Sequence, residues 1–169
     1  MKTIVLVRHA KSSWKDNSAD DHDRTLNKRG EHDAPFMAKV FKDKNIDPEI
    51  LISSSAVRAF ATAKEFAKIL GYKKRKILKS TGLYLAELEE WISFIKEMSE
   101  KYSRVVLFGH NPGITQLANY FSGESIDNMP TCSFCVIEFN LDKWDEADEK
   151  KGTLKFFEYP KKYFPELEE

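Results

Sequence analysis

The sequence predicts an α/β fold: three layers, α/β/α, around a mostly parallel central sheet. Three observations predict it. Short apolar runs alternate with longer amphipathic segments along the chain. The runs are apolar at successive positions, as in strands covered on both faces. The longer segments place apolar residues at helical spacing, so each helix has one stripe to lay on the sheet.

Thr3–Val7 (TIVLV) reads as the first buried strand. Asp16–Asp23 reads as an acidic polar loop, and a helix is expected from about Lys28 to Lys42. Ile50–Ser53 is a second short strand. Ala56–Leu70 is a helix, because Val57, Phe60, Ala61, Ala63, Phe66, Ala67 and Leu70 recur on one face. Gly71 stands where a C-terminal cap belongs. Lys76–Leu78 is expected as a third strand. Glu87–Lys101 is a helix with Leu88, Trp91, Ile92 and Ile95 on one stripe. Arg104–Phe108 (RVVLF) is a fourth strand, broken by Gly109. A helix follows Pro112, with Ile114, Leu117, Ala118 and Phe121 inward. Cys132–Phe139 and Thr153–Phe157 are two final strands, and the charged stretch Asp142–Lys151 between them reads as a solvated turn.

Length and composition set the class. The 169 residues suit one domain, 1–169, large enough to bury a core. Hydrophobic content of 41% and charged content of 32% describe an ordinary globular chain. The 27 basic and 27 acidic side chains cancel, so nothing pulls the chain toward nucleic acid or an anionic membrane at long range. Two cysteines are too few for a disulfide scaffold. No apolar run reaches the roughly 20 residues that span a bilayer. The start, Met1-Lys2-Thr3 and four apolar residues, is too short for a signal peptide. A cytoplasmic protein is expected, with a monomer favoured.

In an open α/β sheet, sites form beyond the carboxyl ends of the strands. The first strand is followed by Arg8 and His9, the second by Ser53, Ser54, Ser55 and then Arg58, the fourth by Gly109-His110-Asn111-Pro112-Gly113. Three strand ends thus deliver two arginines and two histidines. Paired guanidinium groups match the oxygens of a phosphoryl group and stay charged at any relevant pH. The helix start near Pro112 offers further backbone N–H groups to an anion. Neutral imidazole is a good nucleophile for phosphorus, and a second histidine can stabilise transition-state charge.

These motifs resemble the histidine phosphatase superfamily, with its phosphoglycerate-mutase-like fold. The runs Arg8-His9-Ala10-Lys11-Ser12-Ser13-Trp14, Asp23-Arg24-Thr25-Leu26-Asn27-Lys28-Arg29-Gly30 and Leu83-Tyr84-Leu85-Ala86 are similar to its SixA-type phosphohistidine phosphatase branch. The resemblance runs, in order, to about Phe139. It implies His9 as the nucleophile that becomes phosphorylated, with Arg8, Arg58 and His110 completing the phosphate pocket and Ser12 at its edge. Ala10 replaces the commoner glycine, and Lys15 stands where many mutases have asparagine. Glu87 lies about where larger members carry a general acid; a first-turn glutamate favouring the helix dipole is the other reading. The implied activity is a metal-independent phosphatase, without cofactor, acting on a phosphorylated protein such as one phosphorylated on histidine in signalling or phosphotransfer. The alternatives are a phosphatase for small phosphomonoesters and a non-catalytic module that binds phosphoproteins.

The remaining features read as structural. Lys11, Arg24 and Arg29 are expected on a solvated face rather than as a basic rim. His22 with Asp20, Asp21 and Asp23 lacks a fixed ligand spacing and reads as loop. Cys132 and Cys135 lie three apart on a strand, so their sulfurs point to opposite faces. The aromatic residues Phe156, Phe157, Tyr159, Tyr163 and Phe164 are expected to pack the end of the chain on the core.

Overall fold

The computed structural model describes residues 1–15 and 18–166. The predicted loop at Asp16–Asp23 therefore lies partly outside the described residues. Six strands form one sheet: β1 (Lys2–Arg8), β2 (Ile50–Ser54), β3 (Leu78–Ser80), β4 (Arg104–Gly109), β5 (Phe134–Phe139) and β6 (Gly152–Glu158). Their order is β3-β2-β4-β1-β5-β6. The four strands from β3 to β1 are mutually parallel; β5 pairs antiparallel with β1, and β6 antiparallel with β5. Among the described residues four α-helices form: α1 (Lys28–Lys42), α2 (Val57–Leu70), α3 (Leu88–Lys96) and α4 (Gly113–Ser122).

The alternation of side chains along each strand splits the core in two. Ile4, Leu6, Ile52, Leu107 and Ile137 face α3 and α4; Val5, Val7, Leu51, Val106 and Phe134 face α1 and α2. The strand expected from Cys132 begins only at Phe134, and Cys132, with φ 60°, lies before it, so the two cysteines do not share a strand. Both are buried free thiols, Cys132 in one core and Cys135 in the other. Burial pushes both thiols up, Cys135 to about 12, so neither is a thiolate at neutral pH.

Three expected elements differ from what forms. The third strand is Leu78–Ser80 rather than Lys76–Leu78, because pairing with Ile52–Ser54 decides the register and Lys74–Lys76 makes a 3-10 turn. The third helix ends at Lys96 rather than Lys101. Beyond it, Lys2 donates to the Tyr102 carbonyl and pairs with Glu100, and the Trp144 backbone N–H and indole N–H bind Glu100 and Tyr102. Those tertiary bonds fix the segment that leads from α3 to β4. Trp144 itself is fully buried, so the stretch Asp142–Lys151 is not a wholly solvated turn. At the chain end, Tyr163 and Phe164 do pack on Phe36 of α1.

One close approach sets the entrance to α1. Asn27 caps the helix at the Gly30 N–H (2.9 Å) and donates its own N–H to the Lys11 carbonyl (3.0 Å). The backbone of Lys11 passes so near Gly30 that a Cβ there would lie 2.1 Å from the Lys11 oxygen. A backbone atom cannot swing aside. Gly30→Ala is therefore expected to cost about 1–3 kcal/mol, read as a lower urea midpoint with an unchanged slope.

Candidate active site

The register of β1 and β4 places the two histidines side by side. Arg8 pairs with Gly109, so the next residues, His9 and His110, leave neighbouring parallel strands at one level. The His9 N–H donates to the Gly109 carbonyl at 3.2 Å, and the two rings lie 5.1 Å apart. Gly109 has to be small, since a Cβ would lie 2.4 Å from the indole of Trp91. α2 adds Arg58 in its first turn. Thr62, one turn further, donates to the Arg58 carbonyl and accepts from the Ala10 N–H, tying α2 to the residue after His9.

Hydrogen bonding fixes both tautomers. A carbonyl only accepts, so His9 Nδ1 carries a proton and donates to the Ala10 oxygen at 2.7 Å. A guanidinium only donates, so His9 Nε2 offers its lone pair to Arg58 Nε at 3.3 Å. By the same logic His110 Nδ1 accepts from Arg58 Nη2 (3.4 Å) and His110 Nε2 donates to the Ser54 hydroxyl (2.7 Å). Both imidazoles are neutral. Burial, followed by the charge of Arg58, pushes His110 down to about 3. Burial also holds His9 well below its ordinary value; its bond to Ala10 opposes this, while His110, Arg58 and Arg8 reinforce it.

Around these groups lies an open cavity of about 500 Å³. Arg8, His9, Arg58 and His110 line it, together with Ser12, Lys11 and Arg24. Asn111, Asn128 and Thr131, with Trp14 and Leu85, complete the wall. Arg8 Nη1 donates to the Met129 carbonyl (2.8 Å), and Asn111 donates to the same carbonyl and to Asn128, so the loop before β5 is held against the cavity. Among the described residues no group of three or more His, Cys, Asp or Glu side chains is arranged to hold a metal ion.

The four residues expected to form the pocket thus come together, and Ser12 lies beside them with its hydroxyl accepting from Arg24. Glu87 is not brought into the cavity. It is exposed, directly before α3, with its backbone N–H bound to Glu90. The residues lining the cavity at the start of α4 are His110 and Asn111, not Pro112 or Gly113.

Sequence reasoning missed Asp21. Arg58 donates to its backbone oxygen (2.6 Å) and to its carboxylate (3.0 Å), and the Tyr84 hydroxyl donates to the same carboxylate (2.5 Å). Partial burial opposes ionisation here, but the Tyr84 and Arg58 bonds outweigh it and hold the carboxyl far below the usual carboxylate range. Arg24 is not on a solvated face. It is 8% exposed and bound to Asp21 and Ser12. Lys11 lines the cavity, while Arg29 pairs with the buried Asp33. One signal was available for Asp21 and Tyr84: both lie in or beside motif runs that had no role. Nothing in the sequence marked Asn128 or Thr131.

Comparison with known proteins agrees with this fold. The profile of the histidine phosphatase superfamily (branch 1) matches residues 4–83. An uncharacterised chloroplastic protein of Arabidopsis thaliana is 31% identical over 154 residues, 86% of this chain and 70% of the relative. Among solved structures, the protein assigned as phosphohistidine phosphatase SixA of Agrobacterium tumefaciens superposes with a TM-score of 0.81 at 25% identity, over 94% of this chain and 98% of its own. The protein histidine phosphatase SixA complexed with tungstate gives 0.81 at 18% identity, over 95% and 99% of the two chains, and shares the fold. No described helix is long and apolar enough to cross a membrane. The chain belongs to the histidine phosphatase superfamily and is a phosphatase built on the fold of its SixA-type branch.

Proposed function

We propose that this phosphatase removes the phosphoryl group from a protein phosphorylated on histidine, through a phosphohistidine intermediate on His9. The observation that carries the reading is His9 itself: a neutral imidazole at the floor of a cationic cavity, its Nδ1–H tied back to Ala10 and its Nε2 lone pair toward Arg58. Arg8, Arg58 and His110 bind the phosphoryl oxygens. The incoming negative charge favours a proton on His110, whose Nδ1 then donates to the phosphoryl group. His9 Nε2 attacks phosphorus and the bond from phosphorus to the substrate nitrogen breaks; its electron pair stays on that nitrogen, and the ring, which already carries a proton on its other nitrogen, departs as neutral imidazole. Water then attacks phosphorus, breaks the bond to Nε2 and releases phosphate.

The acids of the site support this substrate class. The Asp21 carboxyl is ionised and engaged by Arg58 and Tyr84, and Glu87 lies outside the cavity wall. An alkoxide leaving group needs a strong acid. A phosphohistidine ring protonated on its other nitrogen departs as neutral imidazole, whose conjugate acid has a pKa of about 6.5, and needs no such acid from the enzyme. The reading carries with it a cytoplasmic, monomeric enzyme that needs no metal, with a signalling or phosphotransfer protein as substrate.

The test is turnover, in EDTA, of a histidine-phosphorylated protein and of p-nitrophenyl phosphate. Wild type is expected to hydrolyse the phosphohistidine and to yield an acid-labile phosphoenzyme. His9→Ala is expected to lose both, with activity down about 10³-fold or more; full activity in that variant would sink the mechanism. A clear preference for small phosphoesters would favour a small-molecule phosphatase instead. Glu87→Gln is expected to stay within about two-fold of wild type on phosphohistidine. A loss confined to p-nitrophenyl phosphate would make Glu87 the acid for poor leaving groups.

The depressed histidines also set a pH dependence of stability. In the unfolded chain both imidazoles take up protons near pH 6.5, while in the folded chain they do so only at lower pH. The unfolded state then binds more protons, so stability falls as pH drops below about 6.5. His110→Ala is expected to flatten this limb between about pH 6.5 and 5, by about 1 kcal/mol or more in urea titrations. An unchanged slope would show that His110 is protonated in the folded state.

A further inference from the structure

Trp14 is the most exposed large apolar side chain among the described residues, at 73%, whereas Trp91 and Trp144 are fully buried. It is nonetheless held in place. The guanidinium of Arg24 stacks on its ring at 3.5 Å from the centroid. Arg24 is itself buried, donating to Ser12 Oγ at 2.5 Å and to the Asp21 carboxylate at 3.1 and 3.2 Å. The indole is thus anchored through Arg24 to the machinery around Arg58, while most of its surface stands open at the cavity. A second exposed apolar side chain, Leu85, lines the same cavity at 50% exposure. Its backbone is left-handed (φ 51°), a conformation that a branched residue such as leucine rarely adopts. Strained residues of this kind cluster where substrates are held.

The floor and the rim therefore differ in chemistry. The floor offers Arg8, Arg58 and the two histidines to an anion; the rim adds Lys11 and two open apolar surfaces. A small hydroxylated phosphate ester would leave that rim in contact with polar groups and gain nothing from it. A phosphorylated side chain standing on a protein surface would bring apolar neighbours to it. We propose that Trp14 and Leu85 dock the apolar surface flanking the phosphorylated side chain of a protein substrate, and so set specificity. This rests on the reading that the substrate is a histidine-phosphorylated protein.

Two synthetic phosphohistidine peptides test it, one with leucines and one with serines flanking the phosphohistidine. Turnover of phosphoramidate, which reaches the floor alone, normalises each enzyme. Wild type is expected to favour the leucine peptide about ten-fold in kcat/KM, through KM, the size expected from partial burial of one or two apolar side chains. The double variant Trp14→Ala, Leu85→Ala is expected to treat the two peptides alike, and Trp14→Phe to keep most of the preference. Both residues are exposed, so the double variant should fold, and its melting temperature checks this. Equal turnover of the two peptides by wild type, or a preference that survives in the double variant, overturns the inference alone. Hydrolysis of phosphoramidate but of neither peptide overturns the phosphohistidine-protein reading and the inference with it.

Discussion

A guanidinium only 2% exposed must find its partners inside the protein, and Arg58 does so in the middle of this site. It donates to His9, to His110 and to both the carbonyl and the carboxylate of Asp21. The histidines serve it as acceptors, which requires a free lone pair on each and so keeps both imidazoles neutral. Asp21 supplies the negative charge that a buried cation needs. A phosphoryl group brings the same kind of charge and the same kind of oxygen acceptors. The resting site is thus organised around a cation already matched to an anionic oxygen acceptor.

The surrounding fold delivers these groups at one level. Parallel pairing of β1 and β4 makes His9 and His110 neighbours, and the Ser54 hydroxyl at the end of β2 accepts from His110. Thr62 locks the first turns of α2 to the backbone after β1. Residues with no chemistry of their own matter to this arrangement. Gly109 leaves room for Trp91 beneath the His110 strand end, and Gly30 lets the start of α1 press on the Lys11 backbone. The segment from Lys11 to Trp14 runs from that contact to the cavity mouth, linking helix packing to the shape of the rim.

Charge is distributed unevenly across the site. Cations line the floor, while the one carboxylate bound to Arg58 is stabilised in its ionised form by Tyr84 and by Arg58 itself. Glu87, the other candidate acid, sits outside. In the proposed reading such a site binds phosphoryl groups and protonates leaving groups poorly, which suits a phosphoramidate bond better than a phosphoester bond.

Periodicity by itself determined much of this protein. The bounds of α1 came out unshifted, and β1, β2, β4, β6 and α2 came out within a residue or two, because buried strands and amphipathic helices carry their patterns locally. The strand-end motifs also placed Arg8, His9, Arg58 and His110 in one pocket, since an α/β sheet must put its loops at the carboxyl ends of its strands. What only the tertiary structure decided are the terms that depend on distant partners. Pairing with β2 moved β3 along the chain. α3 ended at Lys96, and Lys2 and Trp144 hold the segment after it through Glu100 and Tyr102. Asp21 enters the site only because Arg58, 37 positions away, is buried and lacks a counter-charge until the loop folds onto it. Arg24 becomes buried through the same carboxylate, and Trp14 is fixed in turn by Arg24. None of these has a period or a spacing, because a long-range ion pair leaves no trace in the residues on either side of it.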